Sequence, residues 1–345
     1  MSRLIDLVLF TVAGRPIYAS AAVITLGILI CVCMTLSLYR ENHRSVSAVL
    51  SLAVLGFVFG VLFSRILHWY FNAETYDSFV TAMTDYDLGS FCLPGVLLGV
   101  WLAAWLTKKF GLTRTVGELL DAAAPGMALL IALIRLSALF NTTCRGRIFI
   151  KVPWLQFLPF AVPDTDAAGN VSYRFATFFV EFILMMIVMF IVLRFFRDKG
   201  DRRMRRGSPR TGNTARLFVL LYAAVAIVMD STRYDKPLMH FRFLSNLNQF
   251  SAFISLAQVF AGFTVLGILI KLSVASIRVN GFRWYHPAIW LGFLGCLFSI
   301  GKLGEYNVQR YATYLKCYSI MTVTCFLMVV MIWQLYRSCV SRRDL

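Results

Sequence analysis

The sequence of 345 residues is poor in charge and has few features of a soluble or secreted protein. Charged residues make up only 15% of the chain, and hydrophobic residues make up 59%. A soluble domain has about 45–50% apolar residues, so the composition excludes an ordinary soluble globular protein. The segment from Ser2 to Val12 has one arginine, Asp6 and no small-residue cleavage site, so we do not expect a cleaved signal peptide.

The eight cysteines do not form a disulfide or metal framework. Most lie inside apolar runs, where cysteine behaves as a small hydrophobic residue. Cys31 and Cys33 are separated by a single residue and have no partner pair, so we expect no metal site. Cys144 is the one cysteine in a polar connecting segment, which makes it a weak candidate for a reactive thiol.

Long apolar runs dominate the chain, and several approach the ~20 residues that cross a ~30 Å hydrocarbon core. The pattern predicts an all-α, polytopic membrane bundle of about nine transmembrane helices. The sixth and eighth runs are the weakest of the nine. The predicted spans are centred on residues 18–38, 46–70, 88–106, 119–140, 175–195, 217–229, 250–272, 284–300 and 314–335.

The net charge is +17, and the basic residues are concentrated on one side of the predicted spans. One set of alternating connections and flanking span ends holds 20 of the 34 lysines and arginines, whereas the stretch from Glu74 to Asp87, on the other side, holds none. Positive charge marks the cytoplasmic side, so we expect the N-terminus outside and the C-terminus in the cytoplasm. The cluster RDKGDRRMRRGSPR at 197–210 is interpreted as a topology signal on anionic lipid. Nucleic-acid binding is the weaker alternative, because no stacking aromatics are interleaved with the cluster.

Two connections are unusual. Residues 199–215 resemble a linker, and the outer connection 142–173 contains IKVPWLQFLPF, which is too short and too rich in proline to span a membrane. The latter is predicted to be an interfacial or re-entrant arm. The last two spans are predicted to form a separate hairpin, so that residues 1–275 are a membrane core and residues 276–345 an addition with a basic tail.

Polar residues that are costly in a membrane concentrate near the outer ends of the predicted spans. Arg135 closes the fourth apolar run, and an arginine at membrane depth costs on the order of 3 kcal/mol on insertion scales, so it is a candidate functional residue by default. Arginine offers forked donors to phosphate, and the pattern therefore suits an anionic phospholipid headgroup. The alternative for each arginine is simple snorkelling or pairing with a carboxylate. His68, beside Trp69 and Tyr70, is either an interface residue or a general base.

The chain resembles the prolipoprotein diacylglyceryl transferase family of bacterial membrane enzymes over roughly residues 14–272. The resemblance is carried in order by IYASAAVITLGILI, DAAAPGMALLIALIRLSALFNTTCRGR, FATFFVEF, LFVLLYAAVAIVMDSTRYDKP and ISLAQVFAG. The residues that match informative family positions are Tyr18, Arg135, Asn141, Gly146, Arg147, Thr177, Glu181, Tyr222, Asp230, Arg233 and Gln258.

The chain also departs from the family pattern. The family's His-Gly-Gly motif at the third span is replaced by GSFCLPGVLLGV, with Leu93 or Pro94 in the place of the histidine. Ala138 stands where the family signature has an asparagine, and Ala226 stands where the sixth span has an arginine. The terminal hairpin over residues 284–336 is additional to the usual seven spans.

The resemblance implies an alkyl transfer in the bacterial cytoplasmic membrane. The diacylglyceryl group of phosphatidylglycerol passes to the lipobox cysteine thiol of a prolipoprotein, and glycerol phosphate is released. This chemistry needs cations at the phosphate and a base for the thiol, and no metal or cofactor is implied. The expected partners are phosphatidylglycerol, prolipoprotein signal peptides and membrane lipids. We assign catalytic roles to Arg135, His68, Tyr18 and Asp230, and substrate binding to Arg65, Asn141, Gly146, Arg147, Glu181, Tyr222, Arg233 and Gln258.

Two alternatives stay open at this point. A non-catalytic phospholipid-binding paralogue would keep the fold and a headgroup pocket without a base. A lipid transporter would show polar residues at mid-bilayer and broken helices in paired halves, whereas the polar residues here gather at one end of the spans.

Overall fold

The fold consists mainly of long helices. A computed structural model describes residues 7–12, 15–41, 45–71, 76, 78–84, 92–141, 144–157, 159–165, 170–206, 211–234, 255–308 and 314–339. The helices are α1 (Ala19–Arg40), α2 (Val46–Phe71), α3 (Phe79–Thr84), α4 (Leu93–Lys109), α5 (Val116–Ser137), α6 (Thr177–Arg206), α7 (Asn213–Thr232), α8 (Leu256–Asn280), α9 (Tyr285–Phe298) and α10 (Tyr314–Cys339). A π-helical segment, Ser299–Tyr306, continues α9.

Eight of the described helices are long and apolar enough to cross a membrane, which confirms the all-α polytopic architecture. The helix of the predicted third span, α4, has 17 residues, and the residues just before Cys92 lie outside the described part. The two weakest predicted spans are longer than their apolar runs. Helix α7 has 20 residues, and the eighth span continues through the π-helical segment to Tyr306.

Helices α1 and α5 pack antiparallel at close range. A Cβ atom at Gly126 of α5 would lie 2.9 Å from the carbonyl oxygen of Cys31, and one at Gly27 of α1 would lie 3.2 Å from Leu130. Small residues allow such close approach inside a membrane, where packing rather than hydrophobic burial drives helix association. This antiparallel pairing brings Tyr18, just before α1, to the same end of the bundle as Arg135, in the last turn of α5.

Helices α2 and α4 meet along a second stripe of small residues. A Cβ atom at Gly95 would lie 2.5 Å from the Cα atom of Ser64, and one at Gly99 would lie 2.5 Å from the amide nitrogen of Gly60. The Ser64 hydroxyl also accepts from the Cys92 amide at 2.6 Å, at the start of α4. Glycine and serine at four-residue spacing therefore fix this antiparallel pair.

The chain forms two compact units. The first comprises residues 1–218 and 233–235, and the second comprises residues 219–232 and 236–345. The core of the second unit is formed by α7, α8, α9 and α10, with residues such as Val265, Phe293 and Met321 buried. The division of the chain near residue 275, at which an added hairpin begins, stays a prediction.

The structure contains two β-hairpins that the sequence pattern did not predict. Strands β1 (Val8–Val12) and β2 (Arg15–Tyr18) form one hairpin, and β3 (Ala161–Thr165) and β4 (Val171–Phe175) form another, just before α6. The predicted arm has a short 3-10 turn at Pro153–Leu155, and Trp154 there is 72% exposed. Exposed aromatic residues next to a span are typical of the membrane interface.

Candidate phospholipid site in the first unit

Arg135 lies in the last turn of α5, and both ends of this helix are well defined. The Thr115 side chain caps the start of α5 by accepting from the Glu118 amide, and a 3-10 turn at Ala138–Phe140 follows its last residue. The α-helical run therefore ends two residues after Arg135. The Arg135 side chain is 14% exposed, so most of the guanidinium is removed from the surface.

Arg135 forms an ion pair with Glu181, which lies one turn into α6. The Nε atom of Arg135 is 2.7 Å from the Oε1 atom of Glu181, and the glutamate side chain is only 1% exposed. A buried carboxylate within a membrane span needs a partner of opposite charge, and Arg135 supplies it.

Cys144 is a second neighbour of Arg135. The Nη1 atom of Arg135 lies 3.4 Å from the Sγ atom of Cys144, and the cysteine is buried. Its backbone has φ +58°, in the left-handed region that few non-glycine residues adopt. The sequence analysis identified Cys144 only as a cysteine in a polar segment. It did not predict the contact with Arg135, because no sequence motif marks the turn that brings the two residues together.

Gly146 has room for no side chain. A Cβ atom there would lie 2.6 Å from the carbonyl oxygen of Phe175 and 2.9 Å from the Thr177 hydroxyl. Its own amide donates to the Phe175 carbonyl at 2.9 Å. Gly146 also pairs with Arg233 through an isolated β-bridge. This glycine therefore brings the segment after α5 against the start of α6, where Glu181 lies.

Arg147 and Arg233 meet through the backbone. The Nε atom of Arg147 donates to the carbonyl oxygen of Arg233 at 2.8 Å, and the Tyr234 amide donates to the Arg145 carbonyl at 2.8 Å. These bonds fasten residues 233–234 to the segment that follows Arg135. Two predicted substrate-binding arginines are thus brought together, on neighbouring strands of backbone.

A pair of arginines on one aspartate was missed by the sequence reasoning. Asp164 of β3 accepts from Arg145 at 2.7 Å and from Arg174 of β4 at 2.5 Å. The Arg174 guanidinium also lies 4.4 Å from the ring centres of Phe149 and Tyr234, a cation–π arrangement. The pairing of Asp164 with the two arginines could not be predicted, because it depends on the register of the β3–β4 hairpin and no sequence motif indicates this hairpin.

A small cleft is lined in part by residues of β3. Asn141 and Arg145 provide its polar lining, and Val162 and Phe178 are among its apolar residues. The cleft lies over a buried cluster that includes Ala138 and Cys144. Of the predicted binding residues, Asn141 therefore lines this cleft.

The other predicted residues of this unit occupy span ends. Tyr18 is half-buried and ends β2, directly before α1. Arg65 is 2% exposed on α2. One turn further, the Nδ1 atom of His68 lies 3.1 Å from the Tyr76 hydroxyl. His68 therefore has a hydrogen-bond partner that fixes its ring, and its role as a base stays a prediction.

The remaining predicted residues lie in the second unit. Tyr222 and Asp230 are buried on α7, and Gln258 is buried in the first turn of α8. Ser255 and Gln258 form a capping box that starts α8. Among the described residues, no group of three histidine, cysteine or acidic side chains could hold a metal ion.

The fold and these polar residues define a multi-pass membrane protein with buried, paired arginines at one end of its helices. Residues 7–269 match the family model of prolipoprotein diacylglyceryl transferase, and the chain belongs to this family. This confirms the resemblance drawn from the motifs.

Relatives of known name agree with the family match. The chain is 27% identical over 243 residues to the phosphatidylglycerol–prolipoprotein diacylglyceryl transferase of Corynebacterium diphtheriae. The alignment covers 66% of this chain and 81% of that protein. The chain is 24% identical over 264 residues to the protein of the same name from Clostridium tetani, with 76% and 96% covered. The corresponding protein of Pseudomonas aeruginosa is 26% identical over 166 residues, with 48% and 55% covered. These names do not favour the paralogue or transporter alternatives.

Proposed function

We propose that this protein transfers the diacylglyceryl group of phosphatidylglycerol to the lipobox cysteine thiol of prolipoproteins in the bacterial cytoplasmic membrane. The observation that carries the proposal is the buried ion pair between Arg135 and Glu181 at the end of α5. It belongs to a chain whose residues 7–269 match the transferase family. The proposed orientation, N-terminus outside and C-terminus cytoplasmic, places this end at the outer leaflet, where exported prolipoproteins emerge.

Arg135 is proposed to stabilise the phosphate of the leaving group. Glu181 orients the guanidinium through its Nε side, and the charge pair offsets the cost of keeping the arginine buried. Preorganised cations act most strongly where negative charge develops in a water-poor site. Arg147 and Arg233, joined through a 2.8 Å bond to backbone, are proposed to add positive charge to the same subsite.

The transfer replaces the S–H and C–O bonds by a bond between the base and the proton and by a C–S bond. The thiol proton passes to a base, and the sulfur attacks the glyceryl carbon that carries the phosphodiester oxygen. A C–S bond forms as the C–O bond breaks, and glycerol phosphate leaves with the electron pair. His68, held by Tyr76 at 3.1 Å, is the proposed base in a chain that has Leu93 or Pro94 in the place of the family histidine.

A direct assay tests this function. The purified protein is reconstituted with phosphatidylglycerol and a peptide that contains a lipobox cysteine, and the diacylglyceryl thioether is measured by mass. A peptide with serine in place of that cysteine is the matched control and should remain unmodified. Growth of a transferase-depleted bacterium that expresses this chain is the second readout. Absence of the thioether product together with failure to restore growth would reject the proposed function.

A further inference from the structure

We infer that Glu305, beyond the part of the chain that matches the family, is a positioning residue that orients the side chain of Gln258, which we assign to substrate binding. This inference rests on the proposed function. Glu305 lies beyond residues 7–269, the part that matches the family. Its side chain is 2% exposed, although it lies within the candidate membrane span Tyr285–Tyr306. A buried carboxylate in a span is costly and marks a functional position by default.

Glu305 binds Gln258 directly. The Nε2 atom of Gln258 lies 3.2 Å from the Oε2 atom of Glu305 and 3.0 Å from the carbonyl oxygen of Ile227. An amide nitrogen has two hydrogens, so these two acceptors use the donors of Gln258. Its Oε1 atom accepts from the Ser255 amide at 3.0 Å. The carboxylate of Glu305 therefore fixes which way the Gln258 amide points.

The bonds of Gln258 connect three helices of the second unit. The amide ties the first turn of α8 to Ile227 of α7, and Glu305 ties both to the π-helical segment that follows α9. Ile227 lies three residues before Asp230, on the same helix and almost one turn away. The added segment thus sets the position of Gln258 and of the α7 backbone next to Asp230, two residues that match the family.

Glu305 lies in a π-helical segment that packs closely against α10. π-helical turns are rare and frequently occur at functional sites. A Cβ atom at the preceding Gly304 would collide with the Cγ atom of Met321 on α10. Close packing of Gly304 on α10 therefore coincides with burial of the Glu305 carboxylate, and an ordinary side chain at 304 would displace this segment.

A loss of stability alone would not show that Glu305 has a positioning role. Glu305→Leu leaves the buried Nε2 donor of Gln258 without this acceptor, and a buried donor that loses its acceptor costs about 1–3 kcal/mol. A positioning role predicts that transfer falls much further than in a variant that loses a comparable hydrogen bond of α8.

The experiment compares full-length variants reconstituted with phosphatidylglycerol and a lipobox peptide. Glu305→Leu removes the acceptor of Gln258, whereas Glu305→Gln keeps a carbonyl acceptor without the charge. Ser338→Ala is the matched control, because it removes another hydrogen bond to α8, between the Ser338 and Ser276 hydroxyls at 2.7 Å, near the opposite ends of the helices. The unfolding temperature in detergent is measured for each variant, together with kcat and KM.

The expected result is a loss of about tenfold or more in kcat/KM for Glu305→Leu, the effect typical of losing a hydrogen bond to a charged group. Its unfolding temperature should fall, as should that of Ser338→Ala, because each variant loses a hydrogen bond to α8. Glu305→Gln should restore most of the activity, and Ser338→Ala should keep the wild-type kcat/KM. Wild-type kinetics in Glu305→Leu, or equal losses in all three variants, would overturn the inference.

A failure of this inference can be distinguished from a failure of the proposed function. If the wild-type chain transfers no lipid, the proposed function fails, and the shift in unfolding temperature on adding phosphatidylglycerol becomes the readout. A shift in the wild type and in Ser338→Ala that is lost in Glu305→Leu supports positioning of a lipid site. An unchanged shift in Glu305→Leu, or no shift in the wild type, overturns the inference.

Discussion

The Nε atom of Arg135 lies 2.7 Å from the Oε1 atom of Glu181, and the two residues join the last turn of α5 to the second turn of α6. This pair explains how an arginine can be kept at the end of an apolar run. The glutamate is only 1% exposed, so each of the two charged side chains serves as the counter-ion of the other.

Glu181→Gln should destabilise the protein and lower its activity. The substitution leaves the Arg135 charge mostly buried with its ion pair removed, at a cost of about 2 kcal/mol, and the guanidinium loses its orientation. Thermal unfolding in detergent and transfer to a lipobox peptide measure the two effects. Glu41→Gln, at an exposed carboxylate, is the control and should change neither. Unchanged stability in Glu181→Gln would show that the ion pair does not hold this end of the helices together.

Gly146→Ala should displace the segment after α5. The added Cβ atom would lie 2.6 Å from the Phe175 carbonyl, so the backbone that carries Arg147 must shift. We expect a loss of at least tenfold in activity, because shifts of about 1 Å at a site can cost about a hundredfold. Gly267→Ala, in α8 with open space around it, should be neutral or slightly stabilising. Equal activity of the two variants would contradict the account of Gly146.

Asp164→Asn should loosen the β3–β4 hairpin without unfolding the helices. The substitution removes the charge that Arg145 and Arg174 share, and Asp164 is 30% exposed, so salt screens part of the effect. Limited proteolysis between β3 and β4 should become faster, while the unfolding temperature changes little. Ser172→Ala, which removes only a 3.1 Å bond to the Asp164 carbonyl, should keep the wild-type cleavage rate. Resistance of Asp164→Asn to the protease would argue against the shared ion pair.

The proposed topology predicts opposite behaviour of two reporter fusions. Basic residues flank alternate span ends, so a fluorescent protein fused after Leu345 should fluoresce in the cytoplasm. An alkaline phosphatase fused at the same point should be inactive, and one inserted between β3 and β4 should be active. The reverse pattern would invert the proposed orientation and remove Arg135 from the outer leaflet.

The sequence predicted the helices because their signal is local. Apolar runs of about 20 residues are visible without any long-range contact, and the matches from Tyr18 to Gln258 gave the family. The ion pair of Arg135 was foreseen only in general terms, as a carboxylate that balances an arginine. The predicted start of the third span falls outside the described residues, and α4 begins at Leu93 with Pro94 in its first turn.

The hairpins and the contacts of the added segment could not be predicted in the same way. The register of β3 and β4 decides that Asp164 meets Arg145 and Arg174, and no turn motif in the sequence sets that register. Glu305 meets Gln258 across 47 positions of the chain. The sequence analysis did not single out Glu305, because its burial and its partner depend on the packing of α7, α8 and the π-helical segment.

The transfer rate of Arg135→Ala, measured beside that of the wild type with phosphatidylglycerol and a lipobox peptide, tests the central claim most directly. The account predicts that product formation falls to background while the variant still inserts in the membrane, and that Arg135→Lys recovers only a small part, because lysine lacks the forked guanidinium. Full activity of an inserted Arg135→Ala protein would contradict the phosphate role of Arg135.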